Sequence, residues 1–318
     1  MESNAKKKNN WKHIARLSAV ALAVLAIAVV HLKTRNTALA KDDQITFQSP
    51  AAAGSALAKA AKSGDKLGLA KILGVDTHAL LTTGDREADT TALMAFASKY
   101  EKMNRWVDMT DGSRVLYIGA DNFAFPVPLA RDSSGQWYFD AVAGAQEIRA
   151  RDIGRNELLT IDACSALADA QEMYYADSGY AGFAQRIIGS PSKQDGLYWP
   201  ASDKQDASPL ATLNQLPKSS LSSLSPDQPL VLDGYSLRIL TAQGDDAPGG
   251  SRNYIVNGRM TGGYAILAAP VKYAETGIMT FMTGVDGVVY ERDLGPDTAK
   301  IAASIREFNP TDDWSPVE

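Results

Sequence analysis

The chain has 318 residues, of which 45% are hydrophobic and 22% charged, a composition typical of a folded protein long enough for two domains. Residues 1–40 hold seven of the 32 basic side chains and one of the 37 acidic ones, so residues 41–318 keep 25 basic and 36 acidic side chains and a net charge of −11. A chain this acidic repels a phosphate backbone, which argues against nucleic acid as a partner.

Cysteine and histidine are scarce. Cys164 is the only cysteine, which excludes an intrachain disulfide and a cysteine-based zinc cluster. Its place in an apolar helical pattern favours a core residue over a reactive thiol. Beyond residue 40 the only histidine is His78, at a predicted helix exit, where a surface or capping role is favoured over catalysis. The sequence therefore predicts no catalytic residue, no metal site and no cofactor.

Residues 1–40 have the order of an export signal. Residues 6–16 are basic, the apolar run at 17–30 contains one polar residue, Ser18, and "ALA" follows at 38–40. Small residues at that spacing are typical of a signal-peptidase site. Fourteen residues rise about 21 Å as a helix, which is short of the roughly 30 Å hydrocarbon core.

Two interpretations of this segment stay open. The favoured one is a signal peptide cleaved between Ala40 and Lys41, which gives a periplasmic or secreted protein. The alternative is an uncleaved inner-membrane anchor through residues 17–30, because Lys33 and Arg35 lengthen the region before the cleavage site. Both interpretations place the body of the protein outside the cytoplasm.

Residues 41–148 are predicted to form a first α+β domain. Two short helices are expected within 49–74, and a longer one within 85–106 from its period of 3.6. After this helix the spacing of the apolar residues changes to every second residue, which is typical of β-strands. Asp111 with Gly112, and residues 133–135, supply the turns of two predicted hairpins.

This order of helices and antiparallel strands resembles the cone-shaped fold of nuclear transport factor 2-like (cystatin-like) domains. The resemblance implies a curved sheet that encloses a pocket, sometimes with an acid–base pair. The carboxylates that would face such a pocket are Asp108, Asp121 and Asp140. Solvated carboxylates at strand ends are the favoured interpretation of all three.

Residues 149–318 are predicted to form a second α+β domain, which opens on a long helix that includes "RNELLTIDACSALADAQEMYYA". The acids and Gln171 fall outside its predicted apolar stripe, which consists of Leu159, Ala163, Ala166, Leu167, Ala170 and Tyr174. A mobile loop is expected at 201–229. Strands follow at 235–240, 253–257, 264–270, 277–284 and 287–291, and a closing helix contains "PDTAKIAASIREF".

The helix motif "NE…I…L…AQ…YY" and the later segment "GIMTFMTGVDGVVYE" resemble the globular part of type IV pilins and pseudopilins. The likeness covers residues 155–180 and 235–291, and it implies a long helix packed on an antiparallel sheet. No prepilin-type apolar segment is fused to this helix, so we do not expect the protein to polymerise as a pilus.

A closer resemblance covers the chain from about residue 47 to the C-terminus. It rests on "RDIGRNELLTIDAC", "QRIIGSPSKQDGLYWPA", "YSLRILTAQGDDAPGG", "YIVNGRMTGGYAILAAP" and "VDGVVYERDLGPDTA". These segments are similar to the bacterial family DUF 2950. The resemblance implies an exported bacterial protein, and this uncharacterised family offers no catalytic or binding residue to carry over.

Five residues are candidates for contact with a partner. Tyr175 and Tyr180 lie near the turn after the long helix, where aromatic rings often anchor protein contacts. Tyr198 and Trp199 would stack on a sugar or grip a peptide, although pinning a loop to the core is the favoured role. Arg259 would bind a carboxylate or, as the favoured alternative, pair with a nearby acid.

The sequence thus predicts a non-enzymatic binding module of the bacterial envelope, whose partner is an envelope protein. The alternative is a small-molecule-binding protein or an enzyme that uses a pocket in the cone-like domain. A pocket with two interacting carboxylates, or an acid beside His78, would favour the alternative.

We expect the mature chain to begin at Lys41, because the basic, apolar and small-residue zones occur in the order of a cleaved signal. Intact-mass analysis of the protein from the envelope fraction checks this. A membrane-bound species that retains residues 1–40 would select the anchor interpretation instead.

Overall fold

The computed structural model describes residues 44–74, 85–177, 181–190, 193–200, 207–212, 226 and 228–317. These residues fall into two compact units, one up to Arg151 and one from Asp152. The predicted export signal, His78 and Tyr180 lie outside the described residues. No helix in the described part of the chain is long and apolar enough to cross a membrane.

The first unit combines helices with an antiparallel sheet. Its helices are α1 (Pro50–Ser63), α2 (Lys66–Leu73) and α3 (Arg86–Lys102). Its strands are β1 (Asn104–Asp108), β2 (Arg114–Ile118), β3 (Phe123–Ala124), β4 (Leu129–Arg131) and β5 (Trp137–Phe139). The strand order is β1-β2-β4-β5, and β3 pairs with β2.

Local sequence signals account for the ends of these helices. The side chains of Ser49, Asp65 and Asp85 accept hydrogen bonds from backbone N–H groups in the first turns of α1, α2 and α3, as good N-cap residues do. Gly64 ends α1 with a φ of 65°, which glycine adopts without a steric penalty. Both predicted hairpins, β1–β2 and β4–β5, are confirmed.

The second unit is built around the long helix α4 (Ala141–Ala176), most of which belongs to it. Two short helices are α5 (Pro209–Thr212) and α6 (Thr298–Ser304). The strands are β6 (Leu230–Leu232), β7 (Tyr235–Leu240), β8 (Ala242–Gln243), β9 (Arg252–Asn253), β10 (Ile255–Val256), β11 (Arg259–Met260), β12 (Ala265–Pro270), β13 (Met279–Gly284), β14 (Val289–Asp293) and β15 (Ser315–Pro316).

Six of these strands form an antiparallel sheet in the order β15-β14-β13-β12-β7-β6, while β8–β9 and β10–β11 are separate hairpins. The sheet shares one core with α4; members of that core include Leu167, Tyr174, Leu237, Ile266 and Phe281. The predicted α+β class is confirmed. The finer likenesses to a cone and to a pilin stay predictions.

The predicted strands at 235–240, 264–270, 277–284 and 287–291 agree with β7, β12, β13 and β14 within two residues at each end. The expected mobile loop at 201–229 differs in its described part. Residues 207–212 contain the helical turn α5, and Leu210 is buried. A buried leucine fixes this piece of chain to the core, so it is not a free loop.

The buried face of α4 differs from the predicted apolar stripe. Leu159 is 41% exposed, whereas Gln171 and Glu157 are only 0% and 4% exposed. Polar side chains enter a core without a large penalty when their polar atoms find partners there. Both residues meet this condition, because each hydrogen-bonds to backbone outside the helix.

Gln171 clamps the backbone of one residue. Its Nε2 donates to the carbonyl oxygen of Ala184 (2.8 Å), and its Oε1 accepts from the N–H of Ala184 (2.8 Å). Glu157 acts similarly further back along the helix. Its Oε1 accepts from the N–H groups of Ile278 (2.9 Å) and Met279 (3.0 Å) at the start of β13.

We expect Gln171→Leu to lower the free energy of unfolding by about 2–4 kcal/mol, because a buried N–H and a buried carbonyl both lose their partner. Urea unfolding measures the change. Leu159→Gln on the exposed side of the same helix is the matched control, with an expected change below about 0.5 kcal/mol. Equal effects of the two variants would contradict the role given to Gln171.

Candidate functional site

A pocket of about 210 Å³ opens at the surface of the second unit, beside the C-terminal end of α4. Its walls come from Tyr174 of α4, the segment 181–186, Asp195 and residues 258–260 of the β10–β11 hairpin. These stretches are far apart in sequence. Backbone contacts and buried side chains bring them together.

The segment 181–186 has no regular structure, so its position depends on contacts with its neighbours. The N–H of Phe183 donates to the carbonyl of Met260 (2.8 Å), and Gln185 Nε2 donates to the carbonyl of Gly258 (3.0 Å). Together with the Gln171 clamp on Ala184, these bonds hold the segment along the hairpin.

The backbone at the start of this segment is strained. Ala181 has a φ of 57°, a left-handed conformation that costs a residue with a Cβ atom about 1–2 kcal/mol. At Gly182, a Cβ atom would lie 3.0 Å from the carbonyl oxygen of Met260, so glycine permits this close approach. Strained backbone persists where the surroundings hold it, and it clusters at functional sites.

Two arginines and one aspartate line the pocket. Arg186 Nη1 donates to Ser190 Oγ (3.1 Å), while Asp195 accepts from the N–H (2.6 Å) and the hydroxyl (2.8 Å) of Ser190. Arg259 is exposed and forms no ion pair or side-chain hydrogen bond with a described residue. Its guanidinium is therefore open to a ligand.

The environment keeps Asp195 ionised. Burial alone would raise the pKa of this carboxyl, but the hydrogen bonds from Ser190 and the positive charge of Arg186 outweigh burial and lower the pKa. The lining thus has two positive charges and one negative charge, a local excess of one positive charge.

An aromatic stack adjoins the pocket. Tyr175 lies on Phe183 with ring centroids 4.4 Å apart and ring planes 21° apart, and Phe183 in turn contacts buried Tyr264. Tyr175 is nevertheless 50% exposed. Stacking fixes the orientation of this ring, so that binding to it would lose little side-chain entropy.

The structure brings Tyr175 and Arg259 to the same surface, through Phe183. It places the other two described candidates elsewhere. Tyr198 and Trp199 are only 6% and 2% exposed, so their rings belong to the core and offer no surface to a partner. A backbone bridge pairs Tyr198 with Ile188, and both aromatic side chains belong to the core of the second unit.

Sequence reasoning missed Phe183, Arg186 and Asp195. No motif marks these residues, and they face a common pocket only because the segment after α4 docks on a distant hairpin. Tyr174 is buried as expected, and its hydroxyl donates to the carbonyl of Gln194 (2.7 Å).

The three carboxylates considered for a pocket in the first unit have separate partners. Asp108 pairs with Arg114, and Asp121 pairs with Lys99 (2.6 Å). Asp140 accepts from two N–H groups in the first turn of α4, as an N-cap does. No two of these three carboxylates therefore form the interacting pair that a pocket with acid–base chemistry would need.

Cys164 is fully buried, and burial raises the pKa of its thiol to about 12. The thiol stays protonated at neutral pH, while nucleophilic attack requires the thiolate. Among the described residues, no group of three or more His, Cys, Asp or Glu side chains is placed to hold a metal ion.

Glu157 and Glu291 interact inside the second unit. Burial raises the pKa of Glu157, although its two backbone hydrogen bonds oppose the shift. Burial and then the charge of Glu157 raise the pKa of Glu291. Glu157 uses one oxygen to hold the backbone before β13, so the geometry assigns it a structural role.

Comparison with known proteins gives one finding. A family model, described as protein of unknown function (DUF2950), matches residues 44–317. The chain belongs to this family. The match covers both units and confirms the resemblance found in the sequence. The search of curated proteins found no match, and neither did the search of solved structures.

We expect Glu157→Gln to weaken the pH dependence of stability. A carboxyl with a raised pKa in the folded state binds more protons folded than unfolded, so its contribution is full at low pH and is lost as pH rises through the folded-state pKa. The variant should therefore gain stability relative to the wild type as the pH rises above the ordinary glutamate pKa of 4.5, as measured by urea unfolding.

Exposed Glu307→Gln is the matched control for this pH series, because Glu307 makes no ion pair with a described residue. A Glu157→Gln curve that runs parallel to the wild type over the whole range would refute the assignment of a raised pKa to Glu157.

Proposed function

We propose that this DUF2950 protein is exported to the cell envelope, and that its second unit binds a partner protein without catalytic turnover. The contact is made by Tyr175, Phe183 and Arg259, which we call the Tyr175 surface. Export rests on the order of basic, apolar and small residues in 1–40. The body is periplasmic or secreted if the chain is cut after Ala40.

One observation carries the proposed binding role: the ring of Tyr175 is half exposed although it stacks on Phe183. Tyrosine, tryptophan and arginine dominate the residues on which protein interfaces depend. Here an oriented tyrosine ring and an arginine without an ion-pair partner among the described residues lie at one surface.

The described residues of the first unit give no comparable support for an enzyme with a pocket between sheet and helix. Asp108, Asp121 and Asp140 each serve a local contact. The interior beside the sheet is occupied by aromatic rings that contact Phe139, namely Phe47, Trp106 and Phe125. The surface of the second unit is therefore the better candidate for the function of this protein.

The test replaces Tyr175 with a photo-crosslinking phenylalanine analogue in the cells that export the protein. Irradiation should give discrete crosslinked products in the envelope fraction, because a partner on the Tyr175 surface lies within reach of the probe. Mass spectrometry then identifies the product.

Val231 on β6 is the matched control position, since it is 49% exposed and lies in the same unit. No product at position 175, or the same products at positions 175 and 231, would overturn the proposed function. Tyr175→Ala tests folding separately. The loss of one aromatic pair should lower stability by about 0.5–1.5 kcal/mol.

A further inference from the structure

We infer that the pocket at the Tyr175 surface binds the C-terminal carboxylate of its partner, with an apolar or aromatic last residue packed on Tyr175. This inference rests on the proposed function and adds to it the chemical group that is recognised. It depends on the charge, the size and the neighbours of the pocket.

The open guanidinium of Arg259 supplies the charge. Arginine is always protonated, and its planar fork matches the two oxygens of a carboxylate. Arg186 already bonds to Ser190, whereas Arg259 has no side-chain partner among the described residues. An anion in the pocket can therefore bind the guanidinium of Arg259 without breaking an ion pair between Arg259 and a described acid.

The net charge of the pocket lining favours a carboxylate over a phosphate. Asp195 is ionised and lines the same pocket, so the lining has an excess of one positive charge. A single carboxylate balances that charge. A phosphate dianion would exceed it and leave one negative charge without a balancing cation in the lining.

The size of the pocket favours a terminal group over a whole ligand. About 210 Å³ is below the roughly 300–1,000 Å³ of pockets that enclose drug-sized molecules. At about 30 Å³ per water molecule, the space corresponds to a few small groups. The rest of the ligand must therefore lie outside, on the adjoining surface.

The stack of Tyr175 on Phe183 favours a carboxylate at the end of a chain over a side-chain carboxylate. Phe183 lines the pocket, and the Tyr175 ring is 4.4 Å from it. In a C-terminal residue the carboxylate and the side chain leave the same Cα atom, so one residue reaches both Arg259 and the aromatic stack. An aspartate or glutamate side chain would need a second residue for the aromatic contact.

The test uses N-acetylphenylalanine, which has a carboxylate and a ring on one Cα atom, against the ¹⁵N-labelled chain from the envelope fraction. We expect a Kd in the millimolar range, as for other ligands of this size. Chemical-shift changes should centre on the amides of Phe183, Gly258 and Arg259.

Two further probes separate the possible sources of the carboxylate. N-acetylphenylalanine amide has no charge and should bind at least about tenfold more weakly, because the ion pair with Arg259 is lost. N-acetylglutamic acid α-amide presents only a side-chain carboxylate and should also bind more weakly. Equal binding of the neutral amide would overturn the inference, and tighter binding of the glutamate probe would overturn its choice of a chain terminus.

Arg259→Gln should weaken binding of N-acetylphenylalanine at least about tenfold. Arg155→Gln is the charge-matched control, because Arg155 lies on α4 outside the pocket lining and pairs with Asp152; it should change the Kd less than twofold. Equal effects of both variants would mean that net charge, not the pocket, attracts the anion.

The outcomes at position 175 and with these probes are independent. Crosslinking at Tyr175 without binding of N-acetylphenylalanine would keep the partner-binding surface and overturn carboxylate recognition. Binding of the probe without any crosslinked product would keep the anion site and overturn the proposed protein partner.

Discussion

The clamp between Gln171 and the backbone of Ala184 decides where the candidate site lies. The segment that follows α4 has no regular structure, so its N–H and carbonyl groups need partners from elsewhere when they are buried. Gln171 provides a donor and an acceptor to one residue at 2.8 Å each. Because Ala184 follows Phe183 directly, this clamp also fixes the ring on which Tyr175 stacks. An apolar side chain in place of Gln171 would fill the same space but would leave the segment without that anchor.

The same principle operates at the other end of the second unit. Glu157 holds the N–H groups of Ile278 and Met279, and Asn156 Nδ2 donates to the carbonyl of Thr276 (3.0 Å). Polar residues of α4 therefore hold irregular backbone at two places, while apolar residues between them pack on the sheet. Burial of the Glu157 carboxylate has a cost, since desolvation disfavours its charged form. The two N–H groups that donate to one of its oxygens offset part of this cost.

Local features of the chain were predictable, and contacts between distant segments were not. The hairpins that turn at Gly112 and at residues 133–135 follow from turn residues and from an apolar period of two, and both signals can be read in a short window. The buried face of α4 could not be read in this way. A polarity pattern places Leu159 inside and Gln171 outside, because it contains no information about the backbone of Ala184 that satisfies the amide. The pocket fails to appear in the sequence for the same reason, since its charged residues belong to separate segments that only the folded chain brings together.

The net charge of residues 41–318 is negative, whereas the net charge of the pocket lining is positive. The distance of each charge from a bound ligand decides how strongly it acts on that ligand. A net charge of −11 over residues 41–318 opposes extended polyanions, which contact many parts of an acidic surface at once. A single carboxylate in the pocket would instead lie within hydrogen-bonding distance of Arg259. At 0.1 M salt, charges on exposed groups are largely screened beyond about 10 Å, so most acidic side chains of the chain contribute little there. An acidic composition that opposes an extended polyanion is therefore compatible with the binding of one carboxylate at Arg259.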